Sequence, residues 1–130
     1  MNYQNLVFKF EIVNYTVMTK ESQMSNHIHT DCAFTTVHYL KYDNESSDST
    51  LFHNSNDYAK FLVTSLSPSL SKVCDNKSIH NSWIYQTYKI PTQEDDFLIF
   101  PAVLEHSVPR IESDSKRVTV VTNINVKESY

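Results

Sequence analysis

Apolar and polar residues alternate over several short stretches of the chain, and this alternation is typical of half-buried β-strands. The clearest stretch runs from Phe34 to Leu40, where Thr35, Val37 and Tyr39 fall on one face of the strand. The same pattern predicts strands within Asn5 to Met18, Ser49 to Asn54, Ser82 to Ile90, Phe97 to Pro101, Val108 to Ile111 and Arg117 to Val126. Residues 19–26 are polar and break the pattern.

One segment has helical periodicity instead. Asp57 to Leu66 carries Tyr58, Phe61 and Leu62 at helical spacing, and Pro68 ends it. Many short strands with at most one or two short helices predict a mainly all-β fold. We expect a jelly roll, or double-stranded β-helix, of about eight antiparallel strands, a fold that manages its sheet edges well at this size.

Length and composition describe an ordinary globular chain. Its 130 residues, 40% hydrophobic and 20% charged, predict a single domain spanning residues 1–130. The net charge of -4, without a basic run, disfavours a nucleic-acid partner. The sequence contains no glycine, so we expect Asn, Asp and Ser to form its turns.

Nothing in the sequence predicts membrane insertion or export. Lys9 and Glu11 interrupt the apolar stretch near the N-terminus, unlike the apolar segment of a signal peptide, and no stretch approaches the roughly 20 apolar residues of a membrane span. We therefore expect a cytoplasmic protein. Cys32 and Cys74 are too few for a disulfide framework and are predicted to be free thiols.

A histidine and an aspartate two residues apart form a candidate metal site. His29 and Asp31 would project to the same side of an extended segment and could bind one ion, with His106 as the third ligand. Two histidines and one carboxylate with open positions are typical of non-haem Fe(II) oxygenases. His27 is the alternative ligand, which would give an H-x-H pair as in cupins, although cupins also place a Glu where Ala33 stands.

Three blocks of the chain resemble the 2-oxoglutarate and Fe(II)-dependent oxygenase superfamily, particularly its prolyl-4-hydroxylase-like branch. Residues 29–31 followed by 34–40 are similar to that family's H-x-D and T-x-x-Y-L strand. Residues 49–52 resemble its G-G-E-T-x-F strand with the Gly pair and the Glu replaced. Residues 100–108, with Arg117 to Thr119, resemble its F-x-x-x-x-x-H-S-V block and trailing basic residue. The order and spacing of these blocks are more specific than any one block alone.

The resemblance implies a dioxygenase that hydroxylates a substrate. Its cofactors would be Fe(II), the cosubstrate 2-oxoglutarate and O2, with ascorbate in support. Arg117 lies 11 residues after His106, which suits a hairpin that returns the last strand beside the metal. The resemblance implies that Arg117 and Thr119 bind the distal carboxylate of 2-oxoglutarate, and Tyr39 is a candidate for a further hydrogen bond to it.

Other interpretations remain open from the sequence. Arg117 could be a surface residue, in which case Arg110 is the nearest other cation, and Tyr39 could be an ordinary core tyrosine. The whole domain could be a non-catalytic jelly-roll module that binds a metal or another ligand. The substrate could be a prolyl or other peptide side chain or a small metabolite, and the sequence does not determine the oligomeric state.

Overall fold

A computed structural model describes residues 6–43, 49–56, 65 and 87–128. Eight strands lie in these segments, in a chain order that matches most of the predicted positions. They are β1 (Leu6–Met18), β2 (Met24–His27), β3 (Phe34–Lys41), β4 (Leu51–His53), β5 (Thr87–Lys89), β6 (Phe97–Pro101), β7 (His106–Val108) and β8 (Arg117–Glu128).

The eight strands form two four-stranded antiparallel sheets. The first sheet has the order β1-β8-β3-β6 and the second β2-β7-β4-β5. Neighbours within each sheet come from distant parts of the chain, and the two sheets together make a jelly roll. The predicted fold class is therefore confirmed.

Two segments differ from the predicted pattern. The polar stretch before His29 contains β2, which the alternation did not predict, because pairing with β7 supplies its backbone hydrogen bonds. β7 begins at His106, two residues before the predicted start of that strand. The helix predicted over residues 57–66 lies, apart from Ser65, outside the described residues. Within the described part of the chain, no helix has the length and apolar character needed to cross a membrane.

Aromatic side chains between the sheets form the main core. Val37 and Tyr39 of β3 point inward, where they cluster with Phe52 of β4 and Phe100 of β6. The rings of Phe52 and Phe100 meet edge to face with centroids 4.8 Å apart, a favoured geometry for aromatic pairs. The prediction that residues 35, 37 and 39 share one face of β3 is therefore confirmed, and this face is the inner one.

Turns adopt left-handed backbone without glycine. Glu21 and Asp95 both have φ of 73°. Asp tolerates this conformation better than most residues, and the Asp95 amide also donates a hydrogen bond to the carbonyl oxygen of Tyr39 (2.7 Å). This turn leads from β5 into β6, as the polar residues before Phe97 predict, and its hydrogen bond to Tyr39 holds it against β3.

Candidate metal centre

Three histidines from two distant segments of the chain meet at one edge of the inter-sheet space. His27 ends β2, His29 follows two residues later, and His106 begins β7. One potential ligand atom from each lies within 4.8 Å of the other two. His27 is the antiparallel register partner of His106, with ring centroids 4.3 Å apart, and the ring of His29 stacks on that of His106 at 5.3 Å. Small side-chain movements would bring all three onto one ion, at the usual metal–nitrogen distance of about 2.1 Å.

The local backbone explains why His27 and His29 both face His106. Both lie on an extended segment, so their side chains project to one side, and the His29 amide donates to the carbonyl oxygen of Ala102 at 2.9 Å. The chain then bends at Asp31, which is exposed and outside the histidine group. Of the ligand set predicted from the sequence, the structure brings together His29 and His106, with His27 rather than Asp31 beside them.

Hydrogen bonds orient two of the three imidazole rings. Nδ1 of His106 lies 2.8 Å from the Leu104 carbonyl oxygen, and Nδ1 of His27 lies 2.9 Å from that of Ser25. A carbonyl oxygen can only accept, so each Nδ1 carries the proton and each Nε2 keeps its lone pair. Such bonds fix the tautomer and ring orientation of metal-binding histidines.

The site favours the neutral form of His29 and His106. Burial is the main cause that lowers the pKa of His106 to about 4; the hydrogen bond to Leu104 opposes it, and the nearby His27, His29 and His53 add to it. Burial, with a smaller contribution from His27, also lowers the pKa of His29. Neutral imidazole is the form that binds a metal, so the unprotonated ligands are available at neutral pH.

A buried arginine lies beside this group. Arg117 is only 4% exposed, yet among the described residues it forms no ion pair, and its Nε has no hydrogen-bond partner. Its Nη atoms reach neutral groups: Thr50 Oγ1 at 3.3 Å, and Thr119 Oγ1 and Met18 Sδ at 3.5 Å. A buried charge is costly without an opposite charge. This environment therefore suits an anionic ligand.

Tyr39 and Thr50 hold the arginine from one side. The guanidinium carbon of Arg117 lies 5.1 Å from the centroid of the Tyr39 ring, within cation–π range. The Tyr39 hydroxyl and Thr50 Oγ1 are 2.6 Å apart, and the Thr50 amide donates to the same hydroxyl at 3.1 Å. Tyr39 is thus fully buried and bonded to Thr50, so its observed contact with Arg117 is through the ring.

One narrow cavity connects the histidines to the arginine. It has a volume of about 40 Å³, close to the share of one water molecule in the liquid. Its lining comprises the three histidines together with Asn14, Thr16, Met24, Val37, Thr50, Val108, Arg117, Thr119 and Val121. The candidate metal ligands and the candidate carboxylate ligand therefore share one cavity.

The remaining predicted residues have clear positions. Thr119 faces the cavity beside Arg117, as their shared strand face predicts. Arg110, the other candidate cation, is exposed and pairs with Glu21 at the surface. Sequence analysis missed Thr50 as an arginine-binding residue, although it lies within the block of residues 49–52 that resembles an oxygenase strand. Cys32 is a free thiol, as predicted.

Comparison with known structures finds low sequence identity. A cupin domain from Bordetella pertussis Tohama I is similar to this chain with 13% identity and a TM-score of 0.46, over 96% of this chain and 98% of that one. No curated protein matches the chain.

A family model matches residues 14–123 of the chain and is described as "Putative 2OG-Fe(II) oxygenase". The matched region begins within β1 and extends into β8, so it contains all three histidines together with Arg117. It covers far more than half of the sequence. The chain therefore belongs to this 2OG-Fe(II) oxygenase family.

Proposed function

We propose that the protein is a dioxygenase that uses Fe(II) and 2-oxoglutarate to hydroxylate a substrate. The observation that carries this proposal is the cavity shared by three histidines and an unpaired, buried arginine. A chelating dicarboxylate such as 2-oxoglutarate needs a metal ion at one end and a cation at the other, and the histidines and Arg117 are placed to provide these. Family membership supplies the reaction type.

The residues present fit the proposed metal and cosubstrate. Imidazole is a suitable ligand for iron, as it is for zinc, copper and nickel, and we propose that His27, His29 and His106 hold the ion. When bound, iron and 2-oxoglutarate supply the oxidation in which one oxygen atom of O2 enters the substrate and the other enters succinate, with release of CO2.

Arg117 would bind the distal carboxylate of 2-oxoglutarate. Its planar fork can donate two parallel hydrogen bonds to a carboxylate, and Nε has no competing partner in the described structure. Thr119 would add a hydroxyl donor, while Thr50 and the Tyr39 ring keep the guanidinium in place. The cavity must widen for this ligand, since its present volume is close to that of one water molecule.

The protein otherwise orients the reactants and limits water. Val37, Val108 and Val121 contribute an apolar lining to the cavity, and Phe100 packs edge to face on His106 at 4.9 Å. An apolar, confined site strengthens the attraction between Arg117 and a carboxylate. The substrate class, whether a prolyl or other peptide side chain or a small metabolite, stays a prediction, as does the prolyl-4-hydroxylase-like branch.

The function is tested by measuring succinate formed from 2-oxoglutarate in the presence of Fe(II), ascorbate and O2. We expect slow turnover even without the substrate, and none after His106→Ala. Full iron and 2-oxoglutarate occupancy without succinate, with or without candidate substrates, would exclude a dioxygenase.

A non-catalytic metal-binding module is the second candidate. It is favoured by one observation: the ligand group contains His27 where the oxygenase pattern places a carboxylate, and Asp31 is exposed. Three neutral ligands leave the full charge of a divalent ion uncompensated, which favours binding of an anion from solution. Metal and anion binding without succinate formation would support this function.

A further inference from the structure

The outer face of the first sheet is strongly apolar and exposed. Phe8, Phe10, Ile12 and Tyr15 of β1, with Phe97 and Ile99 of β6, are each between 53% and 72% exposed. Isolated apolar residues are common on protein surfaces, but a contiguous apolar patch of this kind marks an interaction site. This face is opposite to the metal centre, because Arg117, Thr119 and Val37 project from the inner face of the same sheet.

Side-chain alternation produces this face. Lys9 and Glu11 alternate with the apolar residues of β1 and project to the other side, where they form an ion pair at 3.8 Å. In register, Phe10 lies opposite Ile124, Ile124 opposite Phe34, and Phe34 opposite Pro101, so one apolar row crosses all four strands. The charged groups of β1 therefore lie away from the patch.

The outer face of the first sheet contains an apolar trough. It has a volume of about 310 Å³, and its lining by Phe8, Phe10, Phe34, Ile99, Pro101 and Ile124, with Phe100 below, contains no charged side chain. Ile12, the next outward residue of β1, is 72% exposed. Ile12 thus projects from the same surface that contains the trough. In an isologous two-fold dimer the same patch meets itself, so Ile12 of each copy could enter the trough of the other.

We propose that this face binds a second copy of the chain, giving a homodimer packed sheet against sheet. The exposed fractions of the six side chains named above correspond to roughly 700 Å² of apolar surface, if each large side chain has about 200 Å² in all. A stable interface buries about 800 Å² per partner, so the patch with its margins has the size that a dimer needs. The metal centre faces away from this interface, so dimer formation is independent of the chemistry proposed there.

Among the described residues, the trough lining carries no charged side chain. The charged groups of this face lie along β3, where Lys41 is opposite Val118 and Asp95 bonds His38 beside Phe97. The uncharged trough favours a second copy over other partners. A binding site for a charged ligand or an anionic membrane needs cationic side chains at the surface, and the chain has a net charge of -4. The apolar troughs of two identical faces meet without like-charge repulsion.

The test is the mass of the protein in solution, measured by sedimentation equilibrium from about 1 to 100 µM, with Phe10→Lys and Glu11→Lys as a matched pair. Both variants place a lysine on β1, one on the outer face and one on the opposite face. We expect a dimer for the wild type and for Glu11→Lys, and at least a hundredfold weaker dimer for Phe10→Lys, since central apolar anchors dominate interface affinity.

Ile99→Lys on β6 gives a second outer-face variant if Phe10→Lys does not fold, as judged by circular dichroism. It should also dissociate the dimer while leaving metal affinity unchanged. A monomeric wild type over the whole concentration range would overturn the proposal. A dimer unaffected by both outer-face variants would also overturn it. If the wild type is monomeric, binding to neutral lipid vesicles through this face would identify a membrane as the partner instead.

Discussion

His27 and His106 face each other directly across the antiparallel pair of β2 and β7, with ring centroids 4.3 Å apart. The pairing of two strands therefore sets the distance between two potential metal ligands. Each ring also donates its Nδ1 proton to a backbone carbonyl two residues earlier, which leaves Nε2 available in both. Backbone pairing and local hydrogen bonds together preorganise the site.

The ligand set is tested by comparing His27→Ala with Asp31→Ala. We expect His27→Ala to weaken Fe(II) or Mn(II) binding at least a hundredfold, since changes even to residues that only orient metal ligands cost about 10- to 100-fold. Asp31→Ala should change affinity less than about threefold, within the usual limit for an exposed substitution. Titration calorimetry under anaerobic conditions measures both. The reverse ranking would support the two-histidine, one-carboxylate set predicted from the sequence.

Arg117→Ala should weaken 2-oxoglutarate binding and spare the metal. Losing one partner of a desolvated charge pair costs roughly 2 to 5 kcal/mol, so we expect the dissociation constant to rise at least about thirtyfold. Arg117→Lys should recover part of the affinity, because the charge remains without the fork. Thr119→Val should cost on the order of 1 kcal/mol.

The measurement is 2-oxoglutarate titrated into metal-loaded protein, with metal affinity determined in parallel. Arg110→Ala is the matched control, because Arg110 is an exposed arginine that pairs with Glu21. Equal affinity for wild type and Arg117→Ala would show that the cosubstrate carboxylate binds elsewhere.

Arg117→Met should stabilise the protein when no ligand is bound. The wild-type guanidinium is buried without an opposite charge among the described residues, and replacing buried ionic groups by apolar residues of similar size often stabilises by about 1 to 4 kcal/mol. We expect a gain at the lower end, about 1 kcal/mol, because the hydrogen bonds to Thr50 and Thr119 are lost. Urea unfolding of both proteins without 2-oxoglutarate measures the difference. A loss of stability would indicate that the neutral contacts fully compensate the charge.

Metal-free protein should lose stability as the pH falls from about 7 to 5. Burial, with smaller contributions from the neighbouring histidines, lowers the folded-state pKa of His106 from 6.5 to about 4, so the unfolded chain takes up a proton in this range before the folded protein does. The contribution of His106 is therefore present above pH 6.5 and lost between pH 6.5 and about 4. The expected loss between pH 7 and 5 is about 2 kcal/mol.

His106→Gln removes this titration and serves as the comparison, because other groups titrate equally in both proteins. Urea unfolding with chelator present, at pH 7 and pH 5, gives the free energy of unfolding for each. The wild type should lose about 2 kcal/mol more than the variant. An equal pH dependence in the two proteins would contradict the lowered pKa of His106.

Much of the fold followed from local patterns in the sequence. Alternation along β3 put Val37 and Tyr39 on one face, and both are core residues of the jelly roll. The spacing of Arg117 and Thr119 predicted a shared strand face, and both line the cavity with His106. These predictions succeeded because the side-chain period of a strand is a property of the backbone, independent of its neighbours.

The tertiary structure alone decided which residues complete the histidine group and hold the arginine. Spacing could not distinguish His27 from Asp31 as the partner of His29, because each lies two residues away; pairing of β2 with β7 and the bend at Asp31 placed His27 in the group. Thr50 reaches Arg117 across 67 positions of sequence, a contact that no local pattern encodes. A strand's sequence specifies which side chains share a face, whereas the strands it pairs with determine what that face meets.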